Sequence, residues 1–125
     1  MDFLGIGEGL EPEDRQKLKK AVNESMKVLS DFTQFMIDNI DEQMSKKAEQ
    51  VEQTQSEIDD LEDKLDDEKA LREQGLANNV EVIEAQIDAK KKEKEEQIKQ
   101  EQELLEQKKQ MQKVQLALDT VAQLS

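Results

Sequence analysis

This chain contains a long stretch without helix-breaking residues, and few folds are compatible with such a stretch. After Pro12 the only glycine is Gly75, and no other proline occurs in the 125 residues. Glu, Gln, Lys, Leu, Ala and Asp dominate the stretch, and all of these except Asp favour helix. Disordered chains of similar polarity usually contain more proline, glycine and serine. The sequence therefore predicts an all-α protein.

Composition argues against a compact globule. Only 34% of the residues are hydrophobic, whereas 39% are charged and 2% are aromatic. A globular core of this size needs more large apolar side chains to offset the conformational entropy of the chain. A long coiled coil is the helical structure that fits so polar a chain.

From residue 37 onward the apolar residues repeat every seven positions. One series is fully apolar and consists of Ile37, Met44, Val51, Ile58 and Leu65. A companion series three residues later is mixed and consists of Ile40, Lys47, Thr54, Leu61 and Glu68. A narrow seam of this kind is typical of a coiled coil. We predict a single coiled-coil domain over residues 12–125, with a first helix at about 12–74.

The segment around Gly75 predicts a turn. Glycine is the usual left-handed residue just past a helix end. Asn78, with Glu81 three residues later, suits the N-cap and capping box of a new helix. We therefore predict an antiparallel two-helix hairpin with its turn at 75–78 and a second helix at about 79–124. The alternative is one helix through Gly75, at a cost of about 1 kcal/mol, in a straight parallel oligomer.

The charge pattern tests the hairpin independently of the turn residues. Folding back at Gly75 places residue n near residue 150 − n. The acids at 38–42 then face the lysines at 108–113, and the acids at 57–63 face the lysines at 90–92. Between these blocks, Lys46 and Lys47 face the acids at 101–106. Three matched blocks predict the direction and register of pairing, although each exposed pair adds little stability.

The end of the hairpin away from Gly75 is richer in apolar residues than one antiparallel partner can cover. An irregular, glycine-rich arm at residues 1–11 precedes it. This arm is either a docking peptide or a terminus that stays loose or packs locally. Exposed apolar surface usually marks a contact site, so we predict a protein partner, which is another copy, a continuation of the chain or a different protein. The predicted contact residues are Phe3, Leu4, Ile6, Leu29, Phe32, Phe35, Met36, Leu118 and Val121.

Catalytic and metal chemistry have little support in the sequence. The chain has no Cys and no His, and its Ser and Thr residues stand alone. The acidic run 57–68 keeps helical spacing through Ile58, Leu61 and Leu65, whereas a calcium loop needs alternating oxygen ligands and a sharp turn. We expect a solvated helix side there, and we expect no enzyme, no cofactor, no metal and no small-molecule substrate.

Net charge and hydropathy bear on larger partners and on location. The net charge is −13, which opposes binding to nucleic acid or to an anionic membrane. No apolar run approaches the length of a membrane span. The first ten residues lack the basic start and apolar core of a signal peptide. We therefore expect a cytoplasmic protein.

Half of the chain, from Leu71 onward, resembles a known family. The residues concerned are Leu71-Arg-Glu-Gln-Gly-Leu-Ala-Asn78, the Glu/Lys/Gln-rich helix after them, and Gln112-Lys-Val-Gln-Leu-Ala-Leu-Asp119. This stretch is similar to the coiled-coil segment of phage tail tape-measure proteins. The resemblance implies a smaller relative or a fragment of such a protein, with a role in virion or tail structure among virion proteins, in the host cytoplasm or the virion. It carries over no functional residues.

Two functions follow as expectations. The first is a structural coiled coil that spaces or organises a larger protein assembly. The second is an adaptor or chaperone-like module that grips a partner protein with its apolar end. Stable self-assembly favours the first function, and a soluble monomer that exposes this end favours the second.

Overall fold

The structure is a computed structural model, and it describes residues 11–124. It contains two helices, α1 (Pro12–Glu73) and α2 (Val80–Leu124). The helices pack against each other, and no strand is present among the described residues. The prediction of an all-α antiparallel hairpin with its turn near Gly75 is therefore confirmed. The predicted arm lies outside the described residues, apart from Glu11, which precedes α1.

Helix α1 begins where the sequence favours a start. Pro12 is its first residue, and Glu13 and Asp14 lie in its first turn. Proline lacks the N–H that would be unpaired at this position, and acidic side chains stabilise the positive end of the helix dipole. The backbone N–H of Arg15 donates to the Glu11 carbonyl at 3.0 Å, so Glu11 is the N-cap residue.

Helix α1 ends in a glycine-dependent motif. Gly75 has a φ of 73°, in the left-handed region that glycine enters without steric cost. The Leu76 N–H donates to the Leu71 carbonyl at 3.0 Å, and the Gly75 N–H donates to the Arg72 carbonyl at 3.0 Å. These two bonds define the Schellman motif, which satisfies carbonyls at the helix end. The turn therefore depends on Gly75, as predicted.

The start of α2 differs from the prediction by one residue. The Asn79 carbonyl accepts the first helical hydrogen bond, from the Ile83 N–H at 3.0 Å, so Asn79 rather than Asn78 is the N-cap. The Asn79 N–H donates to Glu68 Oε2 at 3.2 Å. The Glu68 carboxylate of α1 therefore accepts the hydrogen bond from the N-cap N–H, which Glu81 was predicted to accept in a capping box. Sequence spacing within α2 cannot reveal a cap supplied by the other helix.

The described residues form two compact units. The turn unit is Ile40–Lys108, and the apolar-rich unit consists of residues 11–39 and 109–124. Both units contain parts of α1 and α2.

The predicted seam of α1 faces α2 within the turn unit. Its buried residues are Ile40, Thr54 and Ile58, and its half-buried residues are Met44, Lys47, Val51, Leu61, Leu65 and Glu68. The matching seam of α2 is buried at Val80, Ile83 and Ile87, and it is half-buried and largely polar from Lys90 to Glu101. Ile58 and Val80 are the largest fully buried side chains. The apolar core of this unit therefore lies toward the turn.

Ion pairs confirm two of the three predicted charge blocks. Glu57 Oε2 lies 2.6 Å from Lys90 Nζ, and Asp41 Oδ1 lies 2.7 Å from Lys108 Nζ. Both pairs obey the predicted relation between residue n and residue 150 − n to within three positions. The register inferred from charge is therefore correct in the turn unit.

The middle charge block pairs locally instead. Lys46 Nζ lies 3.4 Å from Glu42 on the same helix, and Lys47 Nζ donates to Gln50 Oε1 at 3.1 Å. Within residues 11–124, no ion pair joins either lysine to an acid of α2. An acidic or amide partner one helical turn away competes with a partner across the seam, because neighbours three or four positions apart lie side by side.

Replacing Lys90 with glutamate is expected to lower the melting temperature more than replacing Lys91 does. Lys90 is half-buried and contacts both Glu57 and Glu93, so the variant sets like charges against each other. Lys91 is exposed, and its replacement makes the same change in net charge. Thermal melts followed by circular dichroism at low and high salt provide the measurement. Equal effects of the two variants would contradict a specific Glu57–Lys90 pair.

The same ion pair predicts an effect of alkaline pH. The hydrogen bond to Glu57, followed by the one to Glu93, raises the pKa of the Lys90 ammonium above its ordinary value. Because the folded state favours the charged form, this contribution is complete below the unfolded pKa of about 10.4 and is lost as pH rises through the higher folded value. The difference in melting temperature between the wild type and Lys90→Gln should therefore shrink at strongly alkaline pH.

Candidate functional site

Helix α1 has two apolar faces in the apolar-rich unit. The inner face meets α2: Thr33 and Ile37 are buried, and Gln115 Nε2 donates to Ser30 Oγ at 2.6 Å. Thr33 also donates to the Leu29 carbonyl at 2.8 Å, so its buried hydroxyl is satisfied. In the sequence, Thr33 and Ile37 lie one heptad before Ile40 and Met44.

The outer face of α1 is apolar and uncovered. Leu29, Phe32 and Phe35 are 52%, 59% and 63% exposed. Leu18, Val22 and Val28 are also largely exposed. We define the outer stripe as the residues with alternating spacings of four and three along this face, which are Leu18, Val22, Ser25, Leu29, Phe32 and Met36. All of them are exposed except Met36, which is half-buried at the end of the stripe.

A shallow depression lies in the middle of the outer face. Its lining residues are Ala21, Glu24, Ser25, Val28 and Leu29. The small side chains at positions 21 and 25 create the depression, because the residues on either side are larger. A depression of this type can receive one apolar side chain from another helix, as in knobs-into-holes packing.

Helix α2 contributes further apolar surface to the same unit. Val114, Val121 and Leu124 are exposed. Leu118 differs because it is half-buried and lines a second depression, between the helices, together with Met26 and other residues of α1. Leu118 therefore belongs to the seam rather than to an open face.

The predicted contact residues occupy several environments. Phe3, Leu4 and Ile6 lie outside the described residues. Leu29, Phe32, Phe35 and Val121 are exposed, whereas Met36 and Leu118 are half-buried.

Leu18, Val22 and Ser25 are exposed on the same face but are not among the contact residues predicted from the sequence. The signal that identifies them is the second set of four-and-three spacings, which runs from Leu18 to Met36 beside the seam pattern. An interpretation based on one seam does not separate the two sets.

Charge is distributed unevenly between the units. The described residues of the apolar-rich unit contain seven acidic and seven basic side chains, whereas the turn unit contains 22 acidic and 11 basic ones. Every residue of the outer stripe is uncharged, and Glu24 is the one charged residue that lines the depression. The uncovered face therefore lies in a unit without net charge, where electrostatic repulsion does not oppose close contact.

The described residues contain no group of three or more Asp, Glu, His or Cys side chains able to hold a metal ion. Neither helix within residues 11–124 is apolar enough over a sufficient length to cross a membrane. The uncovered apolar face of α1 is the strongest candidate for a functional surface, because exposed apolar side chains in neighbouring positions usually mark a contact site.

Comparison with known proteins adds no further assignment. No protein-family model, curated protein or solved structure gives a significant match to this chain.

Proposed function

We propose that this chain is a structural coiled-coil hairpin that helps to organise a larger protein assembly. The observation that carries the proposal is the uncovered apolar face of α1, on which Leu29, Phe32 and Phe35 are each more than half exposed. Apolar side chains of this size in contiguous positions usually contact another protein. The role needs no catalysis and no cofactor.

The turn unit supports the same role through its construction. Polar side chains occupy much of its seam, and ion pairs such as Asp41–Lys108 join its helices in one register. Such pairs specify alignment more than they stabilise the fold. A hairpin that holds a defined register suits a spacer.

The resemblance of residues 71–119 to phage tail tape-measure coiled coils refines the proposal. On this basis, the assembly is a phage tail or another part of the virion, and the partners are virion proteins or further copies of the chain. The chain would then occur in the host cytoplasm and in the particle.

A second function, that of an adaptor or chaperone-like module, uses the same apolar face. Its supporting observation is the depression around Ser25, which would accept an apolar side chain of a client. The two functions differ in stoichiometry, because a structural component has a fixed copy number in its assembly and a client-binding module is released.

The test is fractionation of the cells or particles that contain the chain, followed by quantitative mass spectrometry. We expect the chain to sediment with a large assembly at a fixed ratio to its other proteins, and to resist removal by moderate salt. A chain found mainly in the light fractions, with variable amounts of many clients, would refute the structural role and favour the adaptor.

A further inference from the structure

We infer that the outer stripe of α1 is a self-docking site that binds the same stripe of a second copy in the antiparallel direction. This inference rests on the proposed function, because it names one partner of the uncovered face. The evidence comes from exposed area, the order of side-chain sizes along the stripe, and charge.

The exposed area is large enough for an interface. From their exposed fractions, the stripe residues Leu18, Val22, Leu29 and Phe32 leave on the order of 400 Å² in contact with solvent, and the neighbouring Val28 and Phe35 bring the apolar total to about 600 Å². This is at the upper end of the largest apolar patch on a typical monomer, about 300–600 Å². Specific interfaces bury about 800 Å² per partner, and the polar rim of the stripe would supply the remainder.

The stripe has a spacing that is the same in both directions. Its intervals are four, three, four, three and four residues, so an antiparallel copy of α1 matches it layer by layer. The first three residues of the stripe then face the last three residues of the partner in reverse order. An interface of this kind is isologous, because the same surface serves both copies.

Side-chain sizes favour this antiparallel match. Phe32 would face Val22 of the second copy, and Leu29 would face Ser25. Large residues thus meet small ones, which fills the interface without overpacking. A parallel copy would instead place Phe32 against Phe32 and Ser25 against Ser25, with a clash in one layer and a void in another.

The depression around Ser25 fits the same arrangement. It is lined by Ala21, Ser25, Val28 and Leu29 with Glu24 at its border, and in the antiparallel match it lies opposite Leu29 of the second copy. A leucine knob would fill it. The depression is present on the single chain, so docking needs no rearrangement of the backbone.

Charge permits two copies to meet here despite the net charge of −13. The described residues of the apolar-rich unit have equal numbers of acidic and basic side chains. Repulsion between exposed charges also fades beyond about 8 Å at physiological salt. The acidic turn unit offers no comparable uncharged face.

The first test measures the mass of the full chain by sedimentation equilibrium from about 1 µM to 1 mM, a range that covers weak and moderate affinities. We expect a reversible dimer. Phe32→Asp should raise its dissociation constant at least 100-fold, because it buries a charge opposite Val22 in two of the six layers. Leu116→Asp is the control, since Leu116 is at least as exposed as Phe32 but lies on the other helix and outside the stripe.

The second test determines whether the two copies of α1 pair in the antiparallel or the parallel direction. The chain has no cysteine, so disulfides form only at introduced positions. A mixture of Ser25→Cys and Leu29→Cys chains should give the mixed disulfide, because these residues face each other in the antiparallel match. Ser25→Cys alone should cross-link poorly, since its two copies lie beyond the distance of about 7 Å that a disulfide spans.

Several outcomes would overturn the inference. A monomer at every concentration would leave the stripe to a partner of different sequence, and a dimer unaffected by Phe32→Asp would place the contact elsewhere. Efficient disulfide formation between two Ser25→Cys chains would indicate a parallel pair. Phe32 is 59% exposed, so its replacement should not unfold the chain, and circular dichroism verifies this. A monomeric chain still found at a fixed ratio in an assembly would leave the proposed function intact, so the two can fail separately.

Discussion

Ile58→Ala should lower the free energy of unfolding of the hairpin by about 2–4 kcal/mol, as truncation of a buried isoleucine usually does. Ile58 is 2% exposed and is one of the two largest fully buried side chains. The loss combines the transfer free energy of the removed carbons with the cost of the cavity left behind. Because much of the remaining seam is half-buried or polar, few other residues can compensate. Urea denaturation followed by far-ultraviolet circular dichroism measures the change.

Ile98→Ala is the matched control for this prediction. Ile98 belongs to the same unit and has the same side chain, but it is half-buried. Less apolar surface returns to water on its truncation, so we expect less than half of the effect of Ile58→Ala. Equal losses at the two positions would show that the core is not concentrated near the turn.

Thr54 and Gln97 form the polar layer whose replacement should have the second largest effect. Thr54 is 3% exposed, and its hydroxyl donates to Gln97 Oε1 at 2.9 Å. Thr54→Val keeps the shape but removes the donor, and we expect it to cost about 1–2 kcal/mol because the amide oxygen loses its partner. Thr54→Val with Gln97→Leu removes both polar groups and should be more stable than the wild type by about 1–3 kcal/mol.

The gain in stability should come with a loss of register specificity. A polar layer in a coiled-coil seam disfavours shifted pairings, because a shift would bury its polar groups without partners. The readout is a disulfide between Asp41→Cys and Lys108→Cys, whose parent side chains form an ion pair. We expect this disulfide to form in lower yield in the double variant. A double-mutant cycle also tests the pair. If the effects of Thr54→Val and Gln97→Leu on the free energy of unfolding were additive, Thr54 and Gln97 would not be energetically coupled.

The turn shows how far local sequence determines this fold. Gly75 after a long breaker-free stretch predicted the end of α1, and the left-handed backbone at Gly75 confirms it. The N-cap of α2 was predicted one residue too early, because Glu68 of α1 binds the Asn79 N–H. A cap that depends on the opposite helix becomes evident only when the helices are placed side by side.

The charge blocks likewise show which contacts follow from the order of residues and which depend on the packing of the two helices. Their order along the chain was sufficient to predict the register that Glu57–Lys90 and Asp41–Lys108 display. It was not sufficient for Lys46 and Lys47, since both have partners on their own helix. Where local and cross-helix partners compete, only the positions of the side chains decide which pair forms.

The helical class, the position of the turn and the seam from Ile37 to Leu65 could all be predicted from the residues alone, because each follows from periodicity or from a single special residue. The apolar-rich end could be predicted in the same way. Which of the two apolar faces of α1 is covered became evident only from the packing of the two helices. Both faces satisfy helical periodicity, and α2 covers only the one that contains Thr33 and Ile37, leaving Phe32 and its neighbours in solvent.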